Sequence, residues 1–125
     1  MVVRGYTVAT VAVALDVTAK WVDNALSHHR IAGVVQSRQG VARRLTVEAV
    51  TVLEIALRLM RALQIPAATA LHIAQELSRY GPAYAREGCE ITLDVDAVRS
   101  IVTRRLAEAV EYTPVPRRGR PPGRQ

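Results

Sequence analysis

A chain of 125 residues, half of them hydrophobic and 22% charged, can form one packed domain with a tail but not a two-domain cofactor enzyme. Aromatics are 4% with no Phe, so the core has to be built from Val, Leu, Ile and Ala, and the single cysteine, Cys89, excludes an intramolecular disulfide or an all-cysteine zinc site. The formal charge of +6 favours an anionic polymer or surface as partner, and one lone thiol fits a reducing cytoplasm.

Residues 7–15 admit two readings. Val11, Val13 and Leu15 alternate as in a strand, while Val8, Val11, Ala12 and Leu15 share a helical face with Thr7 as N-cap. With Arg4 ahead of it, this run also imitates a signal peptide, but it is short for one. Asp16-Val17-Thr18 breaks the pattern, and Asp tolerates the left-handed conformation such a turn requires. Thr18 can cap a second helix over 19–28, with Val22, Ala25 and Leu26 (or Trp21) inward. Two short helices joined by three residues read as a helix-turn-helix. Thr18, Lys20, Trp21, Asn24, Ser27 and His28 are then the candidates for contact with base edges and phosphates.

The apolar segments 31–35 and 41–45 flank Ser37-Arg38-Gln39-Gly40, which predicts a β-hairpin, and a hairpin at this place is a wing. Arg38, Gln39, Gly40, Arg43 and Arg44 are its candidate backbone contacts. Thr46 predicts the cap of a long helix over 47–63 with Val50, Leu53, Leu57 and Met60 inward; Glu48, Glu54, Arg58 and Arg61 exclude it as a membrane span. Pro66 starts a helix with Ala70, Ile73, Ala74 and Leu77 inward, ending near Tyr80-Gly81-Pro82. Residues 91–93 are read as a short strand, and Asp94 predicts the cap of a last helix over 95–110 with Val98, Ile101, Val102, Leu106 and Val110 inward, a face also available to a second copy.

From Thr113 the composition turns to Pro, Arg and Gly, which predicts a disordered tail. The tail contains Arg118-Gly119-Arg120-Pro121 between Arg117 and Arg124, and resembles an AT-hook, whose core is Arg-Gly-Arg-Pro. Gly119 lets the backbone approach the groove floor, the arginines extend along it, and Pro121 limits the entropy lost on ordering. The ligand expected of such a segment is an A·T-rich minor groove, narrow, negative and free of the guanine amino group.

Charge follows these divisions. Residues 1–46 carry Arg4, Lys20, Arg30, Arg38, Arg43 and Arg44 against Asp16 and Asp23; 47–112 carry seven basic and nine acidic residues; 113–125 carry four arginines and no acid. Basic ends around an acidic middle suit a polyanion gripped at two places.

Tyr6-Thr-Val8, Val11-Ala12, Val17-Thr18 and Arg43-Arg44-Leu45-Thr46, in the order helix, turn, helix, hairpin, helix, resemble the MerR-like winged-helix family of bacterial DNA-binding domains over about residues 6–64. That resemblance implies a second helix in the major groove and wing arginines on the backbone. The chain departs from the family at Asp16, where Gly is usual, and at Asp23-Asn24-Ala25, where an Arg-Tyr-Tyr run is common.

The remaining candidates favour structural roles. His28-His29 has no second ligand pair at metal spacing, His72 sits on an Ala-rich helix as a packing or capping residue, Cys89 has no evident base and is a buried or idle thiol, and the acids at 87–96 fit turns and caps. The expected class is mainly α: a winged helix-turn-helix (1–46) with a small β-hairpin wing, a helical support and dimerisation region (47–112), and a disordered AT-hook-like tail (113–125). The expected function is a regulator or nucleoid factor on double-stranded, A·T-rich DNA in the cytoplasm. No cofactor, metal, membrane or small-molecule substrate is expected, and no enzymatic activity. The alternative is an antitoxin-like or assembly adaptor that holds a protein through helices 47–112.

Overall fold

The computed structural model describes residues 4–36 and 40–112. It is mainly helical, with two small antiparallel sheets. The elements are β1 (Tyr6–Thr7), α1 (Val8–Leu15), α2 (Ala19–His28), β2 (Val34–Val35), β3 (Arg44–Leu45), α3 (Val47–Leu63), α4 (Ala67–Tyr80), β4 (Ala83–Arg86), β5 (Cys89–Thr92) and α5 (Val95–Tyr112). The tail lies outside the described residues.

Residues 8–15 are helical. The Thr7 hydroxyl accepts from the Thr10 amide at 3.1 Å, and Val11, Ala12, Ala14 and Leu15 are buried. A run that imitates a signal peptide is thus part of the core. Asp16 ends α1 in the left-handed region (φ 58°), and the Val17 amide bonds to Ala12 O at 3.0 Å. Two residues later the Thr18 hydroxyl accepts from the Trp21 amide at 3.0 Å and starts α2. Val22 and Ala25 are buried, and both Trp21 and Leu26 pack half-buried against the core.

The first sheet has the order β1-β3-β2, with Tyr6 and Val34 opposite Leu45 and with Thr7 and Val35 opposite Arg44. Its pleat sends Leu45 inward and Arg44 and Val35 outward. The hairpin strands are shorter than the sequence predicts. The Gln36 side chain takes Val41 O at 2.7 Å, and Arg43 turns toward α2, so the ladder ends within two residues.

Helix α3 is the central element, capped by Thr46. Every residue from 49 to 57 is buried, including Thr51 and Glu54, which makes it a helix enclosed on all sides rather than one with a single apolar stripe. It packs against α4 and α5. Pro66 is the N-cap of α4 rather than its first helical residue, and Ala70, Leu71, Ile73, Ala74 and Leu77 form the buried face.

The strand expected at 91–93 is β5, which begins two residues earlier and ends one earlier and pairs with β4, a strand that the sequence pattern does not predict. Ala83 and Ala85 have low strand propensity. The turn also places Glu87, a residue with a Cβ, at φ 44°. Asp94 caps α5 through the Ala97 amide at 3.0 Å. Val98, Val102, Leu106 and Ala109 are buried, whereas Val110, expected inward, is 40% exposed. At about 100° per residue, Ala109 returns to the line of Val98 and Val102, and Val110 is swung off it. The apolar face of α5 is covered within the chain by α1 and α3, and one core cluster runs from Val11 to Ala109.

Candidate nucleic-acid interface

On α2 the exposed side chains Lys20, Asn24 and His28 follow one another at four-residue steps, with Ser27 beside them. Thr18 is exposed at the helix start, with its hydroxyl engaged in the cap. Trp21 is half-buried against the core, so its indole serves packing as well as the surface. The His28 ring is held by its own helix, with Nδ1 2.9 Å from Asn24 O. A carbonyl only accepts, so Nδ1 carries the proton and Nε2 faces away.

The sheet supplies the neighbouring cations. Arg43 donates from Nη1 and Nη2 to the Ser27 hydroxyl oxygen, each at 3.4 Å, and links the residue before β3 to the last turn of α2. Arg44 is exposed on the outer face of β3. Its stem lies over Gly5, where an added Cβ would be 2.8 Å from Arg44 Cβ. Arg4, which no sequence motif singles out, holds its guanidinium 5.0 Å from the centre of the Tyr6 ring. Gly40 is exposed and open. Arg38 and Gln39 lie outside the described residues, as do Arg117, Arg118, Gly119, Arg120, Pro121 and Arg124.

The ion pairs divide the molecule. Among the described residues all of them fall within 47–112: Arg58 to Glu54 at 2.7 Å, Arg105 to Glu54 at 3.9 Å, and Arg99 to Glu48 at 2.8 Å and Asp96 at 2.7 Å. The hydrogen-bonded carboxylate of Glu48 raises the pKa of Arg99, against an opposing desolvation. Arg4, Lys20, Arg30, Arg43 and Arg44 lie within ion-pair reach of no acid among the described residues. Asp23 lines a groove with Arg43 between α2, the start of α1 and residues 40–42, without forming an ion pair with it.

One positioning residue comes from outside this region. Gln75 on α4 donates to Arg30 O at 2.8 Å and accepts from the Ala32 amide at 3.5 Å, clamping the connection between α2 and β2. Its partners are 45 and 43 residues away, and no local pattern marks it.

The other chemistry-bearing residues stand apart. His72 meets the Tyr84 ring edge-on at 6.2 Å. Cys89 is exposed on β5, not buried. Among the described residues no three His, Cys, Asp or Glu side chains cluster as a metal site, and no helix is long and apolar enough to cross a membrane. Compared with family models, curated proteins and solved structures, the chain matches none.

Proposed function

We propose that this is a double-stranded DNA-binding protein, a transcriptional regulator or architectural factor of the nucleoid, and not an enzyme. In this reading α1, the turn and α2 act as a helix-turn-helix with α2 in the major groove, and the β2–β3 hairpin acts as a wing on the backbone. Lys20, Asn24, Ser27 and His28 meet base edges and nearby phosphates, with Thr18 and Trp21 at the start of the same helix. Arg43 and Arg44 hold phosphates, with Arg38, Gln39 and Gly40 at the wing tip. The tail segment Arg118-Gly119-Arg120-Pro121, with Arg117 and Arg124, adds an A·T-preferring minor-groove contact, and tethering raises the apparent affinity of both modules.

The observation that carries the reading is the division of charge. The cations on and beside α2 have no acidic partners among the described residues, whereas in the helical region Arg58, Arg99 and Arg105 lie against carboxylates and only Arg61, Arg79, Arg86 and Arg104 do not, in a region where acids outnumber bases. Cations free of acidic partners are what neutralise phosphates and release their counterions.

The test is fluorescence anisotropy on A·T-rich and G·C-rich duplexes across a salt series. It compares the full chain, a chain ending at Thr113, and the double variant Arg43→Ala/Arg44→Ala. Truncation is expected to weaken A·T-rich binding selectively. The double variant is expected to weaken both and to flatten the salt slope by about 0.9 for each phosphate it no longer neutralises. Absence of duplex binding by the full chain at low salt overturns the reading and directs attention to a protein partner.

A further inference from the structure

Behind the exposed face of α2 lies an open groove of about 470 Å³, bounded by the last turn of that helix, residues 29–31, Val34, Gln36 and Arg43. Ser27, His28, His29, Arg30 and Arg43 all contribute to its lining, and among the described residues no acid does. This distinguishes it from the groove on the other side of Arg43, which contains Asp23.

Three features prepare it for an oxyanion. Ser27 Oγ already accepts from both terminal nitrogens of Arg43, so its own proton is free to be donated elsewhere. Two carbonyls near the end of α2, a helix terminus that otherwise repels an anion, are covered: Asn24 O by His28 Nδ1 at 2.9 Å and Ala25 O by the His29 amide at 3.1 Å, which leaves the side-chain cations to outweigh those of Leu26, Ser27 and His28. Finally, Gln75 fixes the backbone on both sides of Ile31, so Arg30 projects from an anchored segment.

We propose that this groove is a phosphodiester site, taking one phosphate of the duplex backbone with Arg30, Arg43 and the Ser27 hydroxyl as donors. The choice of a duplex rests on the DNA-binding reading; the oxyanion chemistry does not. Arg30 is the added element, because it belongs to neither the α2 face nor the hairpin. A phosphate held here fixes the register of α2 against the backbone without reading sequence.

Two measurements on the full chain test this. In the first, inorganic phosphate is titrated against chloride at matched ionic strength, followed by amide chemical shifts. Saturable movement at Ser27 to Arg30 and at Arg43, abolished in Arg30→Ala, is expected. Weak, non-saturating movement spread over all basic residues overturns the site. In the second, duplex affinity is measured for Arg30→Ala, Ser27→Ala and the control Arg86→Ala on the β4–β5 hairpin. With one phosphate fewer held, the affinity of Arg30→Ala is expected to fall about five-fold at about 0.15 M salt and its salt slope by about one. Ser27→Ala is expected to weaken binding less, and Arg86→Ala not at all. The Arg30 side chain makes no hydrogen bond or ion pair among the described residues, since Gln75 holds the backbone carbonyl, so Arg30→Ala leaves the anchoring of the segment intact. If the full chain binds duplex and Arg30→Ala binds it equally with the same slope, the groove proposal fails and the DNA reading stands. If phosphate saturates the groove but no duplex binds, the groove stands and the DNA reading fails.

Discussion

Within residues 47–112, Arg58, Arg99 and Arg105 each lie against a carboxylate; among the described residues before Thr46, Arg4, Lys20, Arg30, Arg43 and Arg44 lie against none. The later region has seven arginines, of which Arg61, Arg79, Arg86 and Arg104 also form no ion pair among the described residues, so the difference is three paired arginines against none. It follows where the acids fall. Glu48 and Glu54 on α3 meet α5 or the next turn of their own helix, while Asp16, whose backbone ends α1, lines a groove with Arg61 and Arg105, and Asp23 stops short of Arg43. Placement of a few carboxylates therefore decides which face of a basic protein remains open to a polyanion.

The two regions share one core and are expected to unfold together. Leu106 on α5 is fully buried where α5 packs on α1 and α3, so Leu106→Ala is expected to cost about 3 kcal/mol. Trp21 emission, which reports on α2, and far-UV ellipticity should then disappear in one urea transition. A Trp21 signal that survives the helical one would show two separately folding parts.

A second experiment sharpens the contrast between paired and unpaired arginine. Glu54 is 2% exposed, its Oε2 meets Arg58 and its Oε1 has no hydrogen-bond partner. Removing the partner strands a buried charge, so Arg58→Ala is expected to cost about 2 kcal/mol. Glu54→Met, which removes the charge and frees two half-exposed arginines to solvent, is expected to be close to neutral. Urea midpoints at constant slope check both. Arg44→Ala, with no partner to strand, should leave the midpoint unchanged.

Helix starts were legible because capping is local chemistry. Thr18, Thr46 and Asp94 each serve the amide three residues on, and the buried faces of α2 and α4 follow their apolar spacing. What depends on distant contact was not legible. Arg99 finds Glu48 across 51 residues, Gln75 reaches back to the α2–β2 connection, and β4 forms although two of its four residues are alanine. The candidate site divides in the same way. Spacing alone gives the face of α2, but the Ser27–Arg43 contact exists only because the fold sets β3 beside that helix.

Two smaller effects probe how the open region is held. Gly33 has φ 91°, and a Cβ there would run into Thr46 Oγ1, the cap of α3. Gly33→Ala is expected to cost about 1–2 kcal/mol, read as a shift in the urea midpoint. Gln75→Ala removes two exposed hydrogen bonds and should cost under about 1 kcal/mol. Its signature is faster hydrogen exchange at the Ala32 amide, with the α3 amides unchanged. Equal acceleration throughout would show that Gln75 serves global stability rather than the connection.

The packing of α1 on α5 also sets an order of events during synthesis. Helix α1 rests on α5, at least 80 residues later, so loop closure over that separation has to await the synthesis of α5. A product cut short before α5 leaves Val11 and Leu15 without their cover. Quality-control proteases then meet an apolar helix face that is buried when α5 is present, so the helix pair α1–α2 is held in stable form only in chains that include α5.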